Sequence, residues 1–521
     1  MTITVKTESL SGWSSKELHP PFSAGNLLEL LRENGSVLQA PCGGHGVCGK
    51  CKVLLQNSQG VSYVLACETP VTDGATVVIE QERQMKVSNS GSCCTWPADA
   101  AFEGLGASFD VGTTTLVVRI VDLSSGEILA SVGKSNPQIS FGADVISRIS
   151  ACTKGSLDVL HSLIVEALQE MIVEALKSIG KSTDNLCRMV LAGNTTMQHI
   201  AAHLDPTSIG AMPFTPQSLF GTEEQLAEGL PPVHFVRCLA GYVGGDVTAG
   251  LLAISIHEHT KPVILLDLGT NGEMALGDVS GVIACATAAG PVFEGANIAF
   301  GMPAYPGAIS KVAWENGKLE LSVIDDEEPL GICGTGLIDA ISLLLEHEVI
   351  DETGYLLDED EAPEEFAPFI GEEMGQAVFY LTEKIYITQK DVRCLQLAKS
   401  AICSGILTML DARGTSLAEV EKLYIAGGFG EFLNLEHAAN VGIFPKELLP
   451  CAESVGNTSI EGATALLCNS QAQADLLRIV EASEYVELSL STEFNNYYVE
   501  HMLFGELFVR HSGRKRRCRG R

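Results

Sequence analysis

Basic residues are scarce in this chain. Thirty-three Lys and Arg stand against 65 Asp and Glu, a formal net charge of −32. A surface of that sign repels a phosphate backbone, so nucleic acid is excluded as a partner. No apolar run approaches the roughly 18–20 residues needed to cross a bilayer, and no membrane partner is expected. The opening MTITVKTESL lacks a basic segment followed by an apolar one, so no signal peptide is expected. Sixteen cysteines without such a signal point to a reducing compartment, and the cytoplasm is the expected location.

Four cysteines are gathered near the N-terminus. Cys42, Cys48 and Cys51 lie in APCGGHGVCGKCKV and Cys67 in YVLACETPV, giving C-x5-C-x2-C, fifteen residues, then C. Thiolates spaced this tightly are metal ligands. A structural zinc site is one alternative, but only one of its two C-x2-C knuckles is present. Disulfides are the second, and a reducing compartment disfavours them. A third reading takes GHGVCGKC as a P-loop. Cys51 then stands where a magnesium-binding hydroxyl is needed, and a strand rather than a helix follows. The spacing resembles that of plant-type [2Fe–2S] ferredoxins, which use C-x4-C-x2-C and a distant fourth cysteine, and matches the longer first gap of adrenodoxin-like members. Gly43, Gly44, Gly46 and Gly49 allow the loop to wrap closely, with N–H groups turned toward cluster sulfurs.

At 521 residues the chain has room for three or four domains. Residues 1–82 read as one small unit: TITVKT, KCKVLLQ, YVLACE and ATVVIE as strands and NLLELLREN as a short helix, an order that suits a ferredoxin-type α+β β-grasp. Residues 83–106 are polar and then small-residue-rich, and read as a linker. From 107 an α/β pattern repeats once. ASFDVGTTTLVVRIVDLSSGEILA and VILLDLGTNGEMALGDVSGVIACA each run strand, D-x-G-T, strand, turn, strand, with Asp110 and Asp267 standing 157 residues apart. Long amphipathic helices follow each copy. Glu346–Glu373 holds twelve acids and no Lys or Arg, which reads as a solvated face. The last twelve residues, RHSGRKRRCRGR, carry seven basic groups; residues 506–521 read as a disordered tail.

The D-x-G-T turn has a mechanical sense. A strand end presents the carboxylate, Gly112 lets the hairpin close, and Thr113, Thr114 and Thr115 can wrap a polyphosphate. Asp267, Gly269, Thr270 and Asn271 repeat the device. Asp110 and Asp267 can orient Mg²⁺ or its waters. A third loop, LYIAGGFGEFLNLEHAA, runs a strand into Gly427 and Gly428, where glycine permits flat approach by a nucleobase or ribose. A plain strand-to-helix turn is the alternative there.

These loops resemble those of the duplicated, actin-like, ribonuclease H-like ASKHA ATPases. Asp110–Thr115 and Asp267–Glu273 match the two phosphate motifs, and Ile425–Gly430 the adenosine motif. GGDVTAGLLAI at 244–254 and NTSIEGATALL at 457–467 resemble the two connecting helices. The resemblance makes Asp246 a candidate for positioning the attacking water, with a helix N-cap as the alternative. Glu273 and Glu294 fall in matching motifs without an assigned role.

A ferredoxin unit fused to an ASKHA ATPase is similar to the architecture of the reductive activators of corrinoid proteins. NPQISFGADVISRI, AGNTTMQHI, ATAAGPVFEGANI, GICGTGLID, ITQKDVRCLQLAKSAI and FNNYYVEHMLF also resemble that family. The resemblance implies a [2Fe–2S] cluster on Cys42, Cys48, Cys51 and Cys67, ATP with Mg²⁺, and two ATPase halves at 107–258 and 259–505. It implies as partners a corrinoid protein, whose Co(II) is reduced to Co(I), and a low-potential electron donor such as a ferredoxin or flavodoxin. No D-x-H-x-x-G corrinoid motif occurs, so the corrinoid belongs to the partner. Long members carry a middle domain between ferredoxin and ATPase, associated with dimers. With about two dozen linker residues there, a short form lacking that domain is expected, as monomer or weak dimer. A redox-gated small-molecule kinase and a non-hydrolysing redox scaffold are the alternatives.

Overall fold

The computed structural model describes residues 2–9, 12–19, 25–58, 60–79, 96, 98, 99, 102–428 and 432–504. Most of the 83–106 linker, Cys93, Cys94, Phe429, Gly430 and the 506–521 tail lie outside the described residues.

The N-terminal unit is a five-stranded mixed sheet with one helix across it. Ile3–Ser9 and Thr76–Ile79 pair in parallel at its centre. Leu27, Leu28, Leu30 and Leu31 of the helix Leu27–Glu33 fill its apolar core, and Asn26 caps the helix by accepting from Glu29 N. Two details differ from the sequence pattern. Gly12–Leu18 is an additional strand, paired antiparallel to Ile3–Ser9; its exposed residues carry no apolar alternation to announce it. The strand expected at YVLACE ends at Leu65, and Cys67 sits in the turn beyond it. A strand, Lys52–Asn57, follows Cys51, which rules out the P-loop reading.

The two D-x-G-T copies build two six-stranded sheets of the same plan. In the first, Leu105–Val111 pairs antiparallel with Thr115–Asp122, which pairs with Ile128–Ser135; on its other side it runs parallel to Leu186–Gly193. In the second, Val263–Leu268, Gly272–Asp278, Gly281–Thr287 and Lys422–Ala426 take the same places. Each D-x-G-T turn therefore closes a hairpin at the end of a central, buried strand, and carboxylates at matching positions come to face one cleft. Leu105 and Gly106, at the end of the expected linker, already belong to the first strand.

Helices Gly245–Ala253 and Thr458–Cys468 pack against each other between the sheets. Gly462 is what allows this: a Cβ there would strike the Ala249 backbone. The cap before the first helix is Gly244, so Asp246 is not its N-cap. In the acid-rich 346–373 stretch most carboxylates face outward while Leu356 and Phe366 enter the core. The C-terminal helix Thr492–Glu500 is strapped to the long helix Gln389–Arg413 by Ser400 Oγ donating to the Tyr498 carbonyl at 2.5 Å and Tyr497 OH donating to Asp411 at 2.6 Å. Among the described residues no helix is long and apolar enough to cross a membrane.

Candidate functional site

All eleven residues proposed for the nucleotide line one cavity of about 570 Å³ between the two sheets. Asp110 arrives on the fully buried strand Leu105–Val111 and Asp267 on Val263–Leu268. Asp267 pairs in register with Ala426, which puts Gly427 beside it. Gly427 has φ +98°, and a Cβ there would lie 2.6 Å from the Leu268 carbonyl and 2.8 Å from Asp267 Oδ1. Only glycine fits that corner. Gly428 has no neighbour within 4 Å of where its Cβ would be, leaving an open face on the cavity.

The first hairpin is tight. Gly112 N donates to the Thr115 carbonyl at 2.9 Å, and a side chain on Gly112 would meet that same oxygen. The loop is held from outside: Asn136 Nδ2 donates to the Gly112 carbonyl at 2.9 Å, Asn136 N to the Thr114 carbonyl at 2.7 Å, and Arg148 Nη2 to the Thr113 carbonyl. Asn194 Nδ2 donates to Thr113 Oγ1 at 3.0 Å. The two hairpins meet across the cleft, Thr114 Oγ1 lying 3.5 Å from Thr270 Oγ1, and Thr270 donates to Glu294 at 2.9 Å. Asn271 donates to Glu273 at 3.1 Å.

Asp110 is held by two groups that sequence reasoning left without a role. Asn457 Nδ2 donates to its Oδ2 at 2.7 Å and Ser459 Oγ to its Oδ1 at 2.8 Å. Both come from the start of the second connecting helix, where Asn457 also caps by accepting from Ile460 N. Their polar side chains between a strand and a small-residue helix were the available signal. Lys311, Gly334, Thr335 and Phe432 also line the cavity and were not singled out. Asn194 and Gly334–Thr335 lay within segments quoted for the family resemblance, but spacing alone gave them no chemistry.

The cavity is crowded with acidic groups. Six carboxylates, Asp110, Asp246, Asp267, Glu273, Glu294 and Asp325, line the cavity. Burial and then the neighbouring Asp267 push Asp246 up to about 8; burial and then Asp110 push Asp267 up to about 7. Burial, then Asp246 and Asp267, raise Glu273 well above its ordinary value. Asp246 and Asp267 keep part of their surface open to the cavity, while the protein around them excludes bulk water. Among the described residues no three His, Cys, Asp or Glu side chains close on a single point as a metal cage.

The four N-terminal cysteines stand as two pairs. The Cys48 thiol donates to Cys42 Sγ at 3.2 Å and the Cys51 thiol to Cys67 Sγ at 3.3 Å. None is in a disulfide. Gly43, Gly44, Gly46 and Gly49 all have positive φ, between +66° and +98°. Burial pushes the Cys42 thiol up, but hydrogen bonds from Cys48 and from the N–H groups of Gly44, Cys48 and Val47 outweigh it and bring it down to about 7. Burial and then the Cys51 thiol push Cys67 up to about 11. Arg32 Nη2 is buried beside this loop without a hydrogen-bond partner among the described residues. Two thiol pairs, convergent amides and an orphaned donor fit a two-iron cluster, which takes four cysteine thiolates.

Comparisons with known proteins bear on the whole chain. The family model described as the RACo middle region matches residues 105–259, and that described as the C-terminal domain of RACo, the ASKHA domain, matches 261–511. The corrinoid activation enzyme RamQ of Eubacterium limosum is 31% identical, over 91% of this chain and 95% of its own. The [Co(II) methylated amine-specific corrinoid protein] reductase of Methanosarcina barkeri is 26% identical over 76% of each chain. A solved structure titled reductive activator for corrinoid,iron-sulfur protein superposes with a TM-score of 0.70, at 27% identity, over 96% of this chain and 98% of its own. One expectation is overturned. The middle region is not missing: it is the stretch that carries the first D-x-G-T hairpin, read from the repeat as the first ATPase half. The sequence reading looked for it in the linker, upstream of where it lies.

Proposed function

The chain belongs to the RACo family, and on that premise we propose that it is an ATP-dependent reductive activator. It returns the inactive Co(II) corrinoid of a methyltransferase-system protein to Co(I). A carboxylate-walled cavity between two duplicated hairpins, in one chain with two pairs of cysteine thiols, carries this reading. The names of the relatives favour it over a kinase or a scaffold.

Residues 1–82 are the electron-carrying unit, with Cys42, Cys48, Cys51 and Cys67 holding a [2Fe–2S] cluster. When bound, such a cluster supplies one electron at a time, near about −400 mV for the plant type. The electron comes from a low-potential donor such as a ferredoxin or flavodoxin. Residues 105–258 and 259–504 form the two ATPase halves. Gly112, Thr113, Thr114, Gly269, Thr270 and Asn271 offer amides and hydroxyls to the phosphates of Mg-ATP, and Gly427 and Gly428 a flat face to the adenosine. Asp110, fixed by Asn457 and Ser459, and Asp267 would hold Mg²⁺ or its waters. Asp246, in the same cavity, positions the attacking water, and only the ionised form of its carboxyl can accept a proton from it. Hydrolysis drives the cycle because ATP and the corrinoid protein each bind two states of the activator with different affinity.

The test combines the protein, anaerobically purified, with Mg-ATP, a low-potential reductant and a cognate corrinoid protein. The cob(I)alamin absorption band should grow, and Asp267→Asn should abolish its growth while leaving iron content at two per chain. Phosphorylation of a metabolite with no effect on any corrinoid protein would sink the reading.

A further inference from the structure

The segment 136–149 is bonded near both ends to the first phosphate hairpin and in its middle to the cysteine-bearing unit. Asn136 and Arg148 hold the carbonyls of Gly112, Thr113 and Thr114. Arg148 Nη1 also donates to Gln138 at 3.1 Å, which ties the two ends of the segment to each other. On its far side Arg32 Nε donates to the Ser140 carbonyl at 2.5 Å, and its guanidinium lies over the Phe141 ring at 5.1 Å. Ala143 N donates to the Pro41 carbonyl at 3.1 Å, one residue before Cys42.

Arg32 faces two ways. Its Nε edge is on the segment, while its charge is felt by Cys42, Cys51 and Cys67, and Nη2 is the orphaned donor beside the cysteine loop. A Cβ on Gly44 would lie 3.7 Å from both of its terminal nitrogens, so the guanidinium sits against the loop itself. The rest of the seam is loosely filled: a cavity of about 570 Å³ lies between the loop and the helix Val145–Thr153, lined by Arg32, His45 and Phe141 among others. Few packed contacts oppose a small displacement there. A second bond crosses to the other half, Lys50 Nζ donating to the Gly301 carbonyl at 3.1 Å, so this unit is bonded to both halves.

We propose that Arg32 is a positioning residue through which the phosphate hairpin and the cysteine loop sense each other, so that nucleotide binding and cluster redox state are thermodynamically linked. The inference rests on the reading above, in which the loop holds a cluster and the cavity a nucleotide. A guanidinium moved toward or away from a cluster changes the stability of its reduced, more negative state, because cluster potential follows local charge and hydrogen bonds to sulfur. By reciprocity, a nucleotide that shifts the potential must bind the oxidised and reduced forms with different affinity.

The experiment uses the full chain without any corrinoid protein. The dissociation constant of a non-hydrolysable ATP analogue with Mg²⁺ is measured for the air-free oxidised and the dithionite-reduced protein. The cluster midpoint potential is titrated with and without the analogue, and amide exchange is followed over 41–46. The expected result is an affinity ratio of about tenfold, matched by a potential shift of about 59 mV for one electron, with exchange over 41–46 altered by the analogue. Arg32→Met, and Phe141→Leu from the other side of the contact, should bring the two affinities together. A wild-type ratio below about fivefold, the low end of ordinary coupling, overturns the proposal. So does a full ratio in either variant that still carries iron. Should both variants lose iron, the wild-type ratio and exchange decide alone. A chain that carries no iron or binds no analogue fails the functional reading itself, whereas one that does both independently fails only this linkage.

Discussion

Asp246, Asp267 and Glu273 crowd like charges into a cavity whose walls exclude water, and this has a stability consequence. Their carboxyls are raised in the folded chain, to about 8 for Asp246 and about 7 for Asp267 against an ordinary 3.8. The folded state therefore binds more protons than the unfolded one between those values, and stability falls as pH rises through them. The contribution of Asp246 and Asp267 is fully present below about pH 4 and lost by about pH 8. Without nucleotide or Mg²⁺, the melting temperature attributable to this cluster should fall from pH 5 to pH 8. Asp246→Asn should flatten that slope and raise the melting temperature at pH 8 by about 2–4 °C for each kcal/mol relieved. Calorimetry across that range checks it; an unchanged slope removes Asp246 from the coupled set. Asn457→Ala leaves Asp110 without one of its two donors. A lost hydrogen bond to a buried charge costs about 1.5–3 kcal/mol, so kcat for ATP hydrolysis should drop roughly 10- to 150-fold, measured by phosphate release. Asp110 and Asp267 were legible because a carboxylate, a glycine and a hydroxyl recur in matching strand contexts. Asn457 and Ser459 were not, because their partner lies about 350 residues away and no spacing rule connects them.

At the scale of elements, the approach of the two connecting helices decides whether the cleft exists. Gly462 lies against the Ala249 backbone, and Gly250 against Thr458. Gly462→Val should cost about 1–3 kcal/mol through overpacking and lower ATP turnover, with iron content untouched. A thermal melt and a turnover assay on the same sample would show it, and unchanged values in both would mean the helices can part without loss. The repeated strand–turn–strand pattern and the long helices were readable from hydrophobic period alone. The strand Gly12–Leu18 was not. It lies at a sheet edge with its side chains mostly exposed, so pairing rather than burial forms it.

For the whole molecule, the N-terminal unit docks by a few polar bonds and keeps an apolar core of its own. Removing residues 1–82 should therefore leave ATP hydrolysis within about threefold of the full chain, since no cavity residue is lost. Co(II) reduction should fall to background. Absorption of the corrinoid partner and phosphate release, followed together, check both halves of the statement. Loss of hydrolysis on truncation would mean that the N-terminal unit helps to hold the cleft.

The sequence by itself determined the kinds of chemistry present. Thiols at ferredoxin spacing, a duplicated carboxylate hairpin and a glycine loop are local patterns, set by neighbours along the chain, and they survive reading in one dimension. It misplaced the middle region, because a hairpin that repeats another looks like half of a duplication whatever family segment it belongs to. Tertiary structure alone decided which groups meet. It gave Asp110 its donors, brought into one cavity five carboxylates with raised protonation, and put Arg32 between the cysteine loop and the segment that holds the phosphate hairpin. Those relations depend on two sheets closing over a shared cleft. Burial and close approach exist only once residues hundreds of positions apart have packed, and the shifted carboxyl groups follow from that packing.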